Sequence, residues 1–190
     1  MPFAFPVVAR PAGTHGGDDF KRLESLDELA GFLAQRLDAD HYVIEYVDYA
    51  SGDGHFRKYR FIFVAADILP YHLAIGNDWK VHHMSTDMAD HPWMQQEEAA
   101  FLSNPAMVFS SAHYQALHTI RERIGLDYFG IDCGLDPDGN LIVFEVNASM
   151  LVHDDNADFP YKDPFVRAIK AAFGAMLRNR ASRNYGTLSP

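Results

Sequence analysis

The spacing of apolar and polar residues divides the chain into short strands and amphipathic helices. A helix is predicted over residues 25–38, because Ser25 and Glu28 have the spacing of a capping box and leucines follow at helical intervals. Prolines favour the first turn of a helix, so further helices are predicted from Pro92 and from Pro105. The other predicted elements are strands over residues 5–10, 41–47, 56–65 and 68–75, the last two as an antiparallel pair, and a final helix over about 165–178.

Two further strands, over residues 127–135 and 140–147, are predicted to form a hairpin. One row of each strand is apolar, whereas the other row carries Gly130 and Asp132 on the first strand and Glu145 and Asn147 on the second. With two or four residues in the turn, Asp132 lies opposite Glu145, and Gly130 lies opposite Asn147. Facing carboxylates repel each other, which favours a bound cation, and their oxygens suit Mg²⁺ that bridges phosphates. The glycines are expected to leave room for such a ligand.

Two alternatives to this metal site stay open from the residues alone. A three-residue turn of type I with a bulge would place Asp132 and Glu145 on opposite faces, and Pro137 favours that turn. The polar row could also simply face water, as one face of many antiparallel sheets does.

Composition and charge narrow the classes of function. The chain has 190 residues with 16 Lys+Arg and 26 Asp+Glu, a net charge of −10, which argues against binding nucleic acid or an anionic membrane. Its one cysteine, Cys133, excludes an internal disulfide and is predicted to lie in the core. The histidines form no H-x3-H or HExxH pattern, so a zinc site is disfavoured. Without a signal peptide or a long apolar run, the expected location is the cytoplasm.

Four segments, taken in order along the chain, carry a family resemblance. The hairpin has the pattern D-x12-E-x-N within residues 130–147, and the apolar strand at residues 5–11 is followed by a glycine-rich stretch at 13–17. Residues 43–47 and 56–64 form two more strands, the second with Arg60 near its centre. In this order, the hairpin resembles the metal-binding hairpin of ATP-grasp proteins, and the other segments resemble their phosphate-binding strand and loop, adenine-binding hinge and arginine-bearing strand. The nearest branch is the RimK- and glutathione-synthetase-like one.

The resemblance implies an α+β, ATP-grasp-like fold. It would consist of two small lobes, each an antiparallel-rich sheet with helices, with the nucleotide site between them. The first lobe would cover about residues 1–47 and the second about 48–180, as one domain. Because the chain begins almost at the phosphate strand, the N-terminal substrate domain that usually precedes these lobes is expected to be absent.

The resemblance also implies roles for particular residues. Backbone N–H groups of the glycine-rich loop would approach the phosphates beside Arg10, which stands where many members have a lysine. Main-chain groups of residues 45–47 would bind the adenine, and Asp53 or Asp48 the ribose. The implied residues are Arg10, Gly13, Thr14, His15, Gly16, Gly17, Glu45, Tyr46, Val47 and Asp53 for the nucleotide, Asp132, Glu145 and Asn147 for the metal, Lys58 and Arg60 for catalysis, and His153, Tyr161 and Lys162 for the acceptor.

The implied function is that of an ATP-dependent carboxylate–amine, or carboxylate–thiol, ligase that acts through an acyl-phosphate. Its cofactors would be ATP and one or two Mg²⁺ ions, with Mn²⁺ as an alternative, and its acceptor would be a small-molecule or peptide carboxylate. Two other readings stay open. The chain could be a catalytically degenerate nucleotide-binding or interaction module, or a fragment that acts within a larger parent chain or as a homodimer.

Overall fold

Two antiparallel sheets, one in each of two units, organise the chain. The computed structural model describes residues 4–13, 19–35, 37–81, 86–154 and 156–185. The predicted phosphate-loop residues Thr14, His15, Gly16 and Gly17 therefore lie outside the described residues. The chain divides into Met1–Asp48 and Tyr49–Pro190, called unit 1 and unit 2 below. In the described part of the chain, no helix is long and apolar enough to cross a membrane.

Unit 1 is a three-stranded sheet with one helix packed against it. Ser25 caps that helix as predicted, since its hydroxyl accepts the Glu28 N–H at 3.2 Å. The helix ends at Ala34, earlier than predicted, and a short strand at Lys21–Leu23 was not predicted. The elements are β1 (Val7–Pro11), β2 (Lys21–Leu23), α1 (Leu26–Ala34) and β3 (His41–Glu45), with strand order β2-β1-β3 and a core of Val7, Ala9, Leu23, Leu29 and Phe32.

The described residues of unit 2 form a four-stranded antiparallel sheet and three α-helices. The predicted antiparallel pair and the predicted hairpin are both confirmed, and the first strand of the hairpin lies beside the first strand of the pair. The strand order is β5-β4-β6-β7. The elements are β4 (Phe56–Val64), β5 (Asp67–Gly76), α2 (Pro92–Ser103), α3 (Ser111–Ile124), β6 (Tyr128–Leu135), β7 (Leu141–Asn147) and α4 (Asp163–Tyr185).

Two helix boundaries in unit 2 differ from the prediction. Pro105 begins only a short 3₁₀ turn, Pro105–Met107, and α3 starts later, where Ser110 and His113 form a reciprocal cap. The Ser110 side chain accepts a backbone N–H of the first turn, which a proline cannot do, so Ser110 determines where α3 begins. The last helix runs to Tyr185, beyond the predicted end.

Each face of the unit 2 sheet has its own hydrophobic core. Alternate residues of β4 and β6, such as Phe61 and Ile131, pack on one face against α2 and α3. On the opposite face, Ile62 and Val64 pack against α4. Cys133 belongs to the first core and is fully buried, as predicted, and burial raises the pKa of its thiol. The helices α2 and α3 thus cover one face of this sheet, and α4 covers part of the opposite face.

Candidate functional site

The turn of the β6–β7 hairpin has the bulged form that Pro137 favours. Asp136 donates its N–H to the Asn140 carbonyl at 3.0 Å, and Gly139 donates its N–H to the Asp136 carbonyl at 2.9 Å. Gly139 has a positive φ of 80°, which glycine adopts without strain. Continued regularly along the strands, this turn would place Asp132 and Glu145 on opposite faces of the sheet.

A second irregularity in β7 reverses that outcome. Cys133 pairs with Val143, but Asp132 pairs with Glu145, so Phe144 is an extra, bulged residue. Asn147 pairs with Gly130. The predicted register is therefore confirmed, by two irregularities that compensate each other. We call the side of the sheet that carries Asp132, Glu145 and Asn147 the acidic face.

The bulge also changes which apolar residues share the acidic face. Ile142 was predicted to lie with Val146 on the apolar row, yet it pairs with Gly134 and so lies on the acidic face. A Cβ atom placed on Gly134 would lie 2.9 Å from the Phe144 ring, so this ring lies on the acidic face too. The prediction for Ile142 and Phe144 was wrong, because strict alternation does not hold across a bulge.

The space above the glycines is filled by side chains. A Cβ atom on Gly130 would lie 2.5 Å from Cγ of Met150, and one on Gly134 would also lie 3.2 Å from the Tyr49 ring. The Tyr49 and Phe144 rings pack together with centroids 4.7 Å apart. The expectation that these glycines leave room for a ligand was therefore wrong. They leave room for Met150, Tyr49 and Phe144, which border the acidic face on either side of Asp132.

Two cations from β4 neutralise Asp132, which is 3% exposed. Arg60 donates Nε–H and Nη2–H to the two carboxylate oxygens at 2.6 and 2.8 Å, and Lys58 Nζ lies 3.2 Å from Oδ2. Burial alone would raise the pKa of Asp132, but these cations outweigh it and lower the pKa. Asp132 also raises the pKa of Arg60 against the opposing effect of burial. Asp132 is thus a buried, ionised carboxylate with one donor on Oδ1 and two on Oδ2.

Glu145 differs from Asp132 in being exposed and in forming no salt bridge among the described residues, although its charge helps to raise the pKa of Arg60. It accepts a hydrogen bond from Asn147 Nδ2 at 3.2 Å, and Asn147 Oδ1 accepts the Ser149 N–H at 2.8 Å. Two facing carboxylates and an amide oxygen are a donor set that suits a hard cation such as Mg²⁺. No three His, Cys, Asp or Glu side chains are grouped as a metal centre in the part of the chain that is described. The set therefore fits an ion that brings further oxygen ligands with it.

The acidic face continues across the sheet to a buried polar cluster that the sequence did not indicate. His72 on β5 pairs with Arg60, which pairs with Asp132. Glu98 of α2, 1% exposed, meets His72 Nδ1 at 2.5 Å and Lys162 Nζ at 3.1 Å. It also accepts from Tyr161 Oη at 2.6 Å and from the Leu73 N–H at 3.1 Å.

The partners of Glu98 in this cluster lower its pKa although its side chain is buried. Burial favours the neutral acid, but the contacts with His72, Lys162 and Tyr161 lower the pKa of Glu98 to about 2. Burial, with the nearby charges of Lys162 and Arg60, lowers the pKa of His72. The predicted acceptor residues Tyr161 and Lys162 are thus both bound to Glu98.

Two other predicted residues of unit 2, Asp53 and His153, form hydrogen bonds with other residues of the unit. Asp53 lies in an exposed turn and accepts two hydrogen bonds from Arg57, at 2.9 and 2.8 Å. These bonds hold its pKa well below the usual range. Arg57 also binds Glu97 at 2.5 Å. His153 donates its N–H to the Tyr71 hydroxyl at 3.0 Å. The predicted roles of Asp53 with ribose and of His153 with an acceptor stay predictions.

The predicted nucleotide residues of unit 1 that the structure describes lie on or beside its sheet. Arg10 on β1 lies over the Tyr42 ring at 5.5 Å, and Gly13 has a φ of 81° in the turn after β1. Glu45 ends β3, and Tyr46 and Val47 follow it, so the strand is shorter than predicted. Arg22 lies 4.2 Å over the Tyr46 ring, and Val47 is exposed.

Two surface depressions occur elsewhere in the described residues. One, of about 240 Å³, is lined by Pro11, Asp19, Phe32 and Gln35 of unit 1. The other, of about 360 Å³, lies in unit 2 beside the β4–β5 turn and the end of α3, and is lined in part by Ala65, Arg121 and Asp127. Neither includes a residue of the acidic face.

Comparison with known proteins finds similarity at the level of structure. No family model matches the chain, and no curated protein is significantly similar to it. The ADP complex of purK, an N5-carboxyaminoimidazole ribonucleotide synthetase, has a TM-score of 0.50 and 11% identity over 86% of this chain and 41% of that chain. The macrocyclase MdnC from Microcystis aeruginosa, bound with precursor peptide MdnA, has a TM-score of 0.45 and 15% identity over 89% and 47%. The D-alanine-D-alanine ligase from Coxiella burnetii has a TM-score of 0.47 and 9% identity over 96% and 49%.

The similarity to purK confirms the predicted fold class. The chain has an α+β, ATP-grasp-like fold with two antiparallel sheets, as the match to purK shows. At 11% identity the match concerns the fold alone. The chain spans less than half the length of each of the three structures.

Proposed function

We propose that this chain binds ATP together with Mg²⁺, and that Asp132, Glu145 and Asn147 hold the metal. The observation that carries the proposal is the hairpin register, in which a turn and a bulge compensate to bring two carboxylates face to face. Glu145 is exposed and forms no salt bridge among the described residues, and with Asn147 it adds further oxygen atoms beside Asp132, which supports a cation-binding role. The ATP-grasp-like fold supports a nucleotide as the ligand that accompanies the metal.

The cations on β4 would act on the anionic part of the ligand. Lys58 and Arg60 lie on the acidic face, and both reach Asp132. Guanidinium and ammonium groups bind phosphate oxygens well, and the guanidinium does so with two parallel donors. Bound Mg²⁺ would neutralise charge on the phosphates. Arg10 and the residues around Gly13 and 45–47 are the proposed contributors of unit 1 to nucleotide binding.

We propose further that the domain takes part in an ATP-dependent ligase reaction. A carboxylate oxygen of the acceptor would take the terminal phosphoryl group of ATP, releasing ADP. An amine would then attack the acyl carbon and displace phosphate, leaving an amide. The acceptor would be a small-molecule or peptide carboxylate.

A second candidate, nucleotide binding without ligation, is favoured by one observation. Met150, Tyr49 and Phe144 fill the space beside Asp132, so the acidic face is narrower than the glycines suggest. Release of ADP in the presence of carboxylate acceptors and an amine would support ligation. Binding of ATP without such release would support the second candidate.

Calorimetric titration with ATP, with and without Mg²⁺, tests the proposed binding. Wild type should bind ATP, and Mg²⁺ should strengthen the binding. Glu145→Gln removes one carboxylate ligand and should weaken Mg²⁺-dependent binding about tenfold or more, which corresponds to about 1.4 kcal/mol. Asp138→Asn removes an exposed carboxylate from the turn of the same hairpin and serves as the matched control. Equal Mg²⁺-dependent affinities of wild type and Glu145→Gln would refute the assignment.

A further inference from the structure

Both oxygens of Asp132 are engaged by cations of the protein itself. Oδ1 accepts from Arg60 Nε, and Oδ2 accepts from Arg60 Nη2 and lies 3.2 Å from Lys58 Nζ. A Mg²⁺ ion bonds carboxylate oxygens at about 2.0–2.1 Å and demands near-octahedral geometry. Oδ2 already has two donors, so a metal ion reaches it only by displacing one of them; at the remaining lone pair of Oδ1 the ion would lie against the charge of Arg60.

The displaced cations have few other acceptors on this side of the sheet. Glu98, the other buried carboxylate near Arg60, is already bound by His72, Lys162, Tyr161 and a backbone N–H. Glu145 is the carboxylate on which the metal would bind first, since it is exposed and forms no salt bridge among the described residues, and Arg60 senses its charge only at longer range. Arg60 and Lys58 would therefore be left beside the bound metal, each needing an anion.

We infer that Asp132 is an exchangeable counter-ion, which couples the binding of a divalent cation to the binding of a polyphosphate. A metal ion takes the carboxylate of Asp132, and the released Arg60 and Lys58 bind the polyphosphate oxygens. Such coupling is reciprocal, so each ligand raises the affinity for the other by the same factor. The inference rests on the proposed function, because it assigns a mode of regulation to the same site.

The test measures polyphosphate binding with no metal present. Inorganic tripolyphosphate is titrated by calorimetry in EDTA into wild type and into Asp132→Asn. In wild type, Asp132 competes with the anion for Arg60 and Lys58, and the variant removes that competition. Tripolyphosphate should therefore bind Asp132→Asn about 5- to 20-fold more tightly than wild type, within the usual range of coupling between sites.

A matched control separates this effect from a simple change in net charge. Glu97→Gln also replaces a carboxylate that an arginine holds, since Glu97 binds Arg57 at 2.5 Å. Arg57 pairs with Ile75 on the opposite face of the sheet from Arg60. This variant should bind tripolyphosphate within about twofold of wild type. An equal gain in both variants would overturn the exchange.

A second variant keeps the test decisive if Asp132→Asn does not fold. Lys58→Gln removes one competitor for Asp132 and one partner for the anion. Mn²⁺ alone, counted by paramagnetic resonance, should bind this variant about threefold or more tightly, whereas tripolyphosphate should bind about threefold or more weakly. Unchanged affinities for both probes would overturn the inference. Failure of wild type to bind ATP with Mg²⁺ would instead count against the proposed function.

Discussion

Replacing Gly130 by alanine tests whether Met150, which follows β7, packs directly on Gly130 on the acidic face. The new methyl group would lie 2.5 Å from Cγ and 2.7 Å from Cβ of Met150. These atoms are close to the backbone, and Met150 is further fixed because its carbonyl accepts the Tyr128 hydroxyl. Relief therefore requires a backbone shift rather than a new rotamer of a flexible side chain.

The magnitude follows from two opposing effects. Overpacking of this kind costs about 1–3 kcal/mol. Alanine in a strand regains about 0.5–1 kcal/mol over glycine, because the unfolded chain loses conformational freedom. The two ranges leave a net loss of about 0–2.5 kcal/mol in the free energy of unfolding. Because the contact is with Cβ and Cγ of Met150 and cannot be relieved by a rotamer change, we expect about 1–2 kcal/mol within this range, or roughly 0.5–1 M in the midpoint of urea unfolding.

Tryptophan fluorescence during urea unfolding reports on unit 2, which contains Gly130. The chain has two tryptophans, Trp79 and Trp93, and both belong to unit 2. Gly52→Ala is the matched control, because a methyl group there would have no neighbour within 4 Å. It should change the free energy of unfolding by less than about 1 kcal/mol.

A double variant shows whether Met150 is the cause. Met150→Ala should cost about 2–5 kcal/mol by leaving a cavity, and the methyl group of Gly130→Ala would occupy part of that cavity. The double variant should therefore be no less stable than Met150→Ala alone, so the two effects are not additive. Full stability of Gly130→Ala, or simple additivity, would refute this account of the acidic face.

Three further outcomes are expected. Glu98→Gln leaves the buried ammonium of Lys162 without its carboxylate and should lower the free energy of unfolding in urea by about 3–5 kcal/mol. The control Glu97→Gln should lower it by at most about 1 kcal/mol. Similar losses in the two variants would contradict the role of Glu98. The pKa of His72 is lowered in the folded chain from its usual value of 6.5. The unfolded chain therefore binds a proton first as pH falls, and the contribution of His72 is present above about pH 6.5 and is lost below it. That loss is up to about 1.4 kcal/mol per pH unit. The urea midpoint of His72→Gln should therefore change less with pH than that of wild type between about pH 5 and 7. An equal change in both proteins would contradict this role of His72. Arg10→Ala should weaken ATP far more than adenosine in calorimetry, because only phosphate contacts are lost, and equal weakening would make Arg10 a structural residue.

The sequence predicts the hairpin better than it predicts the register. Pro137 and the glycine at 139 indicate a bulged turn, and the turn has that form. The bulge at Phe144 has no local signature, because Phe144 packs against Tyr49, a residue far away in the chain. The bulge places Asp132 opposite Glu145. The residues of the acidic face were therefore identifiable from the family resemblance, and their register was not decidable from spacing.

The buried cluster was missed for a different reason. A glutamate in an amphipathic helix is typically solvated, and the histidines form no metal-ligand pattern, so neither Glu98 nor His72 is indicated as a site residue by local spacing. Glu98 nevertheless stands in the same helical row as the buried residues Met94 and Phe101. A charge within an apolar row is the signal that indicates a buried ion pair.

The bulged residue in β7 makes the spacing between the two acids a poor guide to their pairing. Twelve residues separate Asp132 from Glu145, and one of them, Phe144, has no partner in the ladder. Loss of Phe144 would leave eleven residues and an unbroken ladder, with the same two carboxylates opposed. Chains with either spacing can thus share one geometry, and an alignment that penalises the length difference would separate proteins whose sites are equivalent.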